Sequence, residues 1–319
     1  MTIPAARTEP AASRTESSLQ GGRGSRRRRF RRISARDWLV LALLLGIPLF
    51  LDIALIWGPT IVSVLLSFTS WDGIGEIKPV GLRNYENVVS IYPPFWPAVR
   101  HNLLWLAFLG LIATPIGLFF AVLLDKEIRF TRLYQSAIYL PVVLSLAIVG
   151  FIAQLIFSRD YGVLNNVLGN TAHPIDWLGD PRKNIWAMMI AASWRHVGYV
   201  MILYLAGLKA VDQALKESAS IDGANEWQTF WRVTFPTLRP VNIIVLVITV
   251  IEGLRAFDIV YVVNRGRNGL QLLSVLIFDN IVGEGSRIGF GSALATLLLV
   301  ISLGFVVVYM IRILRQEEQ

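Results

Sequence analysis

Six stretches of the chain, roughly 38–68, 100–124, 134–157, 184–208, 241–263 and 288–312, are apolar over about 20 residues or more. That is the length an α-helix needs to cross a hydrocarbon core of about 30 Å. Charged residues make up only 16% of the 319, against roughly 25% in an average soluble domain, and mean hydropathy is +0.55. The chain therefore reads as one all-α, polytopic integral membrane domain with about six transmembrane helices, not as two soluble domains. The first stretch is too long for one perpendicular helix and holds Pro48, Gly58 and Pro59. It reads as a kinked, tilted span or a span with a surface extension, and it is too long for a cleaved signal core.

The net charge of +8 is unevenly placed: ten of the thirty Lys and Arg residues fall between Arg7 and Arg36. Residues 1–35 have almost no large apolar side chains and read as a disordered basic tail. A basic tail just before an apolar span marks the cytoplasmic side and is read here in place of a nucleic-acid site. With the N-terminus inside, the loops at 125–133 and 209–239 and the C-terminal end are also cytoplasmic. That topology puts nineteen Lys and Arg inside and eight outside, the bias expected of a multi-pass protein of a bacterial cell membrane with both termini in the cytoplasm. The membrane domain is set at 36–315, with a polar loop at about 209–238 and a short C-terminal tail at 316–319.

The chain has no cysteine, which excludes disulfides, thiol catalysis and Cys-ligated metals. His101, His173 and His196 are scattered without metal-ligand spacing. No G-x-x-x-x-G-K-[ST] cradle for phosphates occurs, and no Ser-His-Asp arrangement has sequence support. The reading is a non-enzyme.

The polar loop between the fourth and fifth stretches reads as two short helices. Asp212 caps the first and Asp222-Gly223 ends it, glycine taking a left-handed turn without a Cβ penalty. Asn225 caps the second with Gln228 three residues on, the spacing of a capping box. Trp227, Phe230 and Trp231 fall on one face, Pro236 stops the helix, and Pro240 opens the fifth span. Taken alone, this could be a connector lying flat on the membrane with Trp227 and Trp231 among the headgroups.

The spacing points elsewhere. Glu217-Ser218-Ala219 is followed after three residues by Gly223, and after nine more by Val233-Thr-Phe235-Pro236. This resembles the EAA loop of binding-protein-dependent ABC importer permeases, E-A-A, three residues, G, nine residues, I-x-L-P, with Ser218, Val233 and Phe235 as the departures. Gly81-Leu-Arg-Asn-Tyr85, Tyr139-Leu-Pro141, Gly162-Val-Leu-Asn165, Leu205-Ala-Gly-Leu208 and Phe257-Asp258-Ile-Val-Tyr261 resemble the carbohydrate-type (maltose/glycerol-3-phosphate) members, so the resemblance covers about residues 40–312. Asn264-Arg-Gly-Arg-Asn-Gly-Leu270 stands where those members often have T-x-G-G-P, and Asp212 where they commonly have proline.

The resemblance implies a permease subunit that forms, with a second homologous permease, the path for a sugar or oligosaccharide. An extracellular or lipid-anchored binding protein delivers the cargo, and a cytoplasmic ATPase dimer binds the ATP and Mg, so this chain holds no cofactor. It assigns coupling to the ATPase to Glu217, Ser218, Ala219, Asp222, Gly223 and Pro236, with Glu217 as the polar contact; a merely solvated helix face at Glu217 is the plain alternative. A non-sugar cargo (phosphate ester, polyamine or peptide) and a non-transporting receptor or scaffold stay open. Arg195 and Glu252 fall near mid-span, where a charge is costly and needs a partner or a watery cavity. They are read either as a structural pair, or Glu252 with Arg255, or, with Trp194, Arg255 and Asp258, as the lining of the path.

Overall fold

The computed structural model describes residues 35–126, 128–283 and 285–317. The basic tail, apart from Ala35, lies outside the described residues, as do residues 318–319. Among the described residues, those from Ala35 to Ile56 fall in one unit and those from Trp57 on in another. In the first, the helix Ala35–Asp52 carries Pro48 in its interior. Among the described residues the regular structure is helical, and an isolated bridge joins Thr69 to Pro79. Trp38–Leu66, Phe95–Asp125, Asn184–Ala210 and Ile288–Arg312 are long and apolar enough to cross a membrane, and the bent pair Thr131–Val143 with Leu146–Phe157 adds a fifth if it is one span. The last helix runs on to Glu317, past the boundary drawn at Arg315.

Two of the expected spans are interrupted rather than continuous. In the third stretch the two helices meet at 103°. Pro141 supplies no N–H, Leu144 and Ser145 are extended, and Ser145 Oγ accepts from the Ile148 N–H at 3.3 Å to start the second helix. The fifth stretch divides into Arg239–Leu254 and Asp258–Asn264. Broken helix ends survive in apolar surroundings only when their carbonyls find partners. Buried Asn102 donates to the carbonyls of Gly253 and Leu254 at 3.1 Å each, and accepts from the Leu273 N–H at 2.9 Å. The Ser274 hydroxyl donates to the Ala256 carbonyl, and Gln154 Nε2 donates to those of Val262 and Val263 at 3.2 and 3.0 Å. Asn102 and Ser274, from two other helices, thus satisfy a break that apolar composition alone does not announce, while Gln154 serves the far end of Asp258–Asn264.

The core forms around Asn184–Ala210. Over its apolar window 56% of the residues are buried, against 6% for Ile288–Arg312, whose hydropathy is 2.7. A helix that apolar and that uncovered belongs in hydrocarbon. Close helix approach depends on glycine: a Cβ at Gly198 would stand 2.4 Å from the Ile138 carbonyl oxygen, and one at Gly117 2.7 Å from Val200 Cγ1, the small-residue packing of membrane helices. Met188, Met189 and Met201 fill the remaining space and are fully buried.

Candidate functional site

The loop after the central helix is built from local devices. Asp212 Oδ1 accepts from the Ala214 N–H at 3.0 Å and opens the helix Gln213–Ile221. Gly223 follows at φ +82°, and a Cβ there would meet nothing within 4 Å, so the backbone conformation alone demands glycine. Asn225 Oδ1 accepts from the Gln228 N–H at 2.8 Å while Gln228 Oε1 accepts from the Asn225 N–H at 3.0 Å, a complete capping box. The chain then makes a π-turn at Phe230–Thr234 before the short helix Phe235–Thr237. Pro236 does not stop the path as expected, because it falls in the first turn of that short helix, where a missing N–H costs nothing.

The loop presents apolar surface outward and holds itself to the membrane domain by its edges. Trp227 is 71% and Ile221 86% exposed. Trp231 packs on Phe230 and Phe235, with ring centroids 5.1 and 5.0 Å apart. Thr234 and Leu238 are buried, Leu238 within the cluster around Met201, Tyr204 and Leu205. Two ion pairs reach the end of Phe95–Asp125: Lys126 Nζ to Glu226 Oε2 at 2.6 Å, and Lys216 Nζ to Asp125 Oδ2 at 3.6 Å. The Lys126 hydrogen bond, with its charge, holds the Glu226 carboxyl below the usual carboxylate range.

A concavity of about 440 Å³ opens where the fifth stretch breaks and is lined by Arg195, Tyr199, Glu252, Arg255, Phe257 and Asp258 among others. Arg195 lies about 11 residues, roughly 16 Å, along the helix Asn184–Ala210. Glu252 Oε1 accepts from Arg195 Nη1 at 3.0 Å, and Glu252 Oε2 lies 2.9 Å from His196 Nδ1. His196 is 1% exposed, and its Nε2 lies 3.2 Å from Thr114 Oγ1 and 3.3 Å from Thr249 Oγ1.

Comparison with known proteins decides the class. Residues 113–317 match the family described as binding-protein-dependent transport system inner membrane component. The chain is 31% identical over 288 residues to a probable ABC transporter permease of Pyrococcus horikoshii, covering 88% of this chain and 96% of that one. The chain belongs to this family. It is 32% identical over 271 residues to a xylose/arabinose import permease of Haloferax volcanii, covering 83% and 85% respectively. The crystal structure of a bacterial ABC transporter involved in the import of the acidic polysaccharide alginate includes a chain with the same fold, at TM-score 0.73 and 24% identity over 85% of this chain and 93% of that one. The protein is thus a multi-pass membrane permease component of a binding-protein-dependent ABC importer.

In the permease, Glu217 and Ser218 are exposed and Ala219 half-buried on the first loop helix, with Asp222 and Gly223 exposed at its end and Pro236 exposed beyond the π-turn. Ser218 Oγ donates back to the Ala214 carbonyl at 2.8 Å. Of the five path residues, Arg195, Glu252, Arg255 and Asp258 share one concavity. Trp194 does not line it and is 44% exposed, because the next position on a helix turns about 100° away. Glu252 pairs with Arg195, not with Arg255 one turn on. Sequence reasoning missed His196, Thr114, Thr249 and Asn102. A histidine inside an apolar span was itself a signal; the two threonines carried none.

The family motifs have structural work of their own. Asn84 donates to the carbonyls of Ser67 and Thr69 at 2.8 Å each, and the Tyr85 hydroxyl meets Ser67 Oγ at 2.6 Å. Asn165 donates to the Arg159 and Ile175 carbonyls at 3.0 and 2.9 Å and accepts from Trp177 Nε1 at 3.0 Å. A Cβ at Gly162 would lie 2.1 Å from the Ser158 carbonyl oxygen. These residues shape connections between helices and are not transport chemistry.

Proposed function

We propose that the permease is one half of a two-permease pathway importing a sugar or oligosaccharide, with both termini in the cytoplasm. A separate ATPase dimer binds ATP and Mg and drives it, and an extracellular or lipid-anchored binding protein feeds it. The observation that carries the reading is the loop at 212–238: two capped helices of fixed geometry present Ile221 and Trp227 outward beside exposed Glu217. A rigid, partly apolar knob fits a cleft in a partner better than it fits water, and rigidity is what force transmission needs. The exposed face of the first helix, Glu217 and Ser218, meets the ATPase, while Gly223 and Pro236 set the loop's shape.

The cargo reading rests on the concavity at Glu252. It offers guanidinium and carboxylate groups beside Phe257 and Tyr199, the mix of polar groups and flat rings that suits polyhydroxylated rings. Arg195 Nε is buried with no partner among the described residues. An unmet buried donor costs roughly 1–3 kcal/mol, which a water or a cargo hydroxyl entering the cavity relieves. The xylose/arabinose import permease of Haloferax volcanii supports a sugar over a phosphate ester, a polyamine or a peptide. The test is uptake by proteoliposomes holding the whole importer. Sugar-stimulated, ATP-dependent uptake supports the reading; uptake of a polyamine or peptide alone replaces the cargo, and failure of any ATPase to co-purify turns the reading to a receptor or scaffold.

A further inference from the structure

The charged groups at the concavity are held in two different ways. Glu252 is doubly held, by Arg195 Nη1 at 3.0 Å and by His196 Nδ1 at 2.9 Å. His196 is in turn fixed by Thr114 and Thr249. With Nδ1–H donated to the Glu252 carboxylate, Nε2 of a neutral His196 accepts, so the Thr114 hydroxyl donates to it while the Thr249 hydroxyl donates to the Val245 carbonyl at 2.7 Å. These bonds tie together the helices Phe95–Asp125, Asn184–Ala210 and Arg239–Leu254. Arg255 and Asp258 differ. They lie at the helix break, both are exposed, and neither forms a side-chain hydrogen bond or ion pair with any described residue.

We propose that this site has two layers. Arg195, His196 and Glu252 form a fixed wall, in which His196 is the positioning residue for the Glu252 carboxylate. Arg255 and Asp258 form the open pair that meets the cargo. The inference rests on the reading that this concavity lies on the import path, and it assigns roles within it. Arg195 and Glu252 cancel each other's charge, so selectivity falls to the open pair. One guanidinium and one carboxylate together match the donors and acceptors of an uncharged polyol. Beside this net-neutral pair an acidic sugar's carboxylate gains at Arg255 about what it loses at Asp258, so nothing offsets the hydration it sheds on entering, whereas uncharged hydroxyls bond both groups. The preferred cargo is therefore uncharged.

The experiment uses the whole importer in membrane vesicles, with maltose as the uncharged probe and digalacturonate as the acidic one. Wild type should take up maltose at least about tenfold faster than digalacturonate, and Asp258→Asn should shrink that ratio at least about tenfold. His196→Ala should lower both uptake and the melting temperature of the extracted permease. His196→Asn, whose amide nitrogen can stand where Nδ1 stands, should restore both. His196→Gln, whose amide instead reaches toward the threonines, should not. Rescue by Gln and not by Asn would overturn the positioning role, and an unchanged ratio in Asp258→Asn would overturn the open pair. If wild type takes up neither probe, its cargo is another solute, and a second readout still decides the layers. In this cysteine-free chain, a cysteine replacing Arg255 or Asp258 should react with a small charged thiol reagent, and one replacing Thr249 should not. The reverse pattern would refute the two layers.

Discussion

The loop at 212–238 and the wall around Glu252 are both polar devices in an apolar chain, and they are held by opposite means. In the loop, the decisive bonds join residues two or three apart, Asp212 to Ala214 and Asn225 to Gln228, with two ion pairs at its rim. In the wall, the bonded partners are 53 to 82 residues apart and sit on three helices. A loop built locally can be altered without unfolding what carries it. A wall shared by three helices passes any change on to all of them. Motion suits the first and exact placement of charge suits the second.

That contrast can be broken at several points. The largest effect should come from the helix crossing beneath the wall: Gly198→Leu drives a side chain into the Ile138 carbonyl, where even a Cβ would stand at 2.4 Å. Overpacking costs typically 1–3 kcal/mol or more, so detergent extracts should yield little folded permease; normal yield and melting temperature would show the crossing to be adjustable. Next comes Gly223→Pro. Proline fixes φ near −65° where the loop needs +82°, so ATP-driven uptake should vanish while the permease stays folded in the membrane. Gly223→Ala calibrates this, costing about 1 kcal/mol, since its Cβ meets nothing. Unaltered uptake with proline would mean the turn is not needed for coupling.

Glu252→Gln should act less severely. It removes the charge that Arg195 and His196 share, and uptake should fall several-fold while the subunits still assemble and basal ATPase activity persists. A charge-swapped Arg195→Glu, Glu252→Arg double variant that regains full uptake would make the pair purely structural. The smallest effect belongs to the exposed Lys126–Glu226 contact. Because the folded Glu226 pKa is depressed, its contribution is present at neutral pH and is lost as pH falls through that lowered value, below the ordinary glutamate value of about 4.3. Lys126→Met should abolish this acid-side dependence of loop order, as read by the fluorescence of Trp227, and leave uptake at neutral pH nearly unchanged. An acid transition that survives in Lys126→Met would assign it to another group.

What was legible in the sequence divides along the same line. Both loop caps and the left-handed Gly223 were readable because each lies within a few residues of what it serves. The apolar stretches were readable from length alone. The breaks near Leu144 and Arg255 were not. The second exists because Asn102 and Ser274, away in sequence, take up carbonyls that a continuous helix would have bonded itself. His196 looked like one of three scattered histidines until folding set it beside Glu252. Pro236 looked like a stop because nothing in the sequence announces the π-turn that precedes it.

The central claim, that this loop faces the cytoplasm and docks the ATPase, is tested most directly by thiol labelling of Ser220→Cys. Ser220 is exposed on the first loop helix. A membrane-impermeant maleimide should react with it in inside-out vesicles and not in right-side-out ones, and bound ATPase subunit should slow the reaction at least about tenfold. Labelling from the outside, or a rate indifferent to the ATPase, would contradict it.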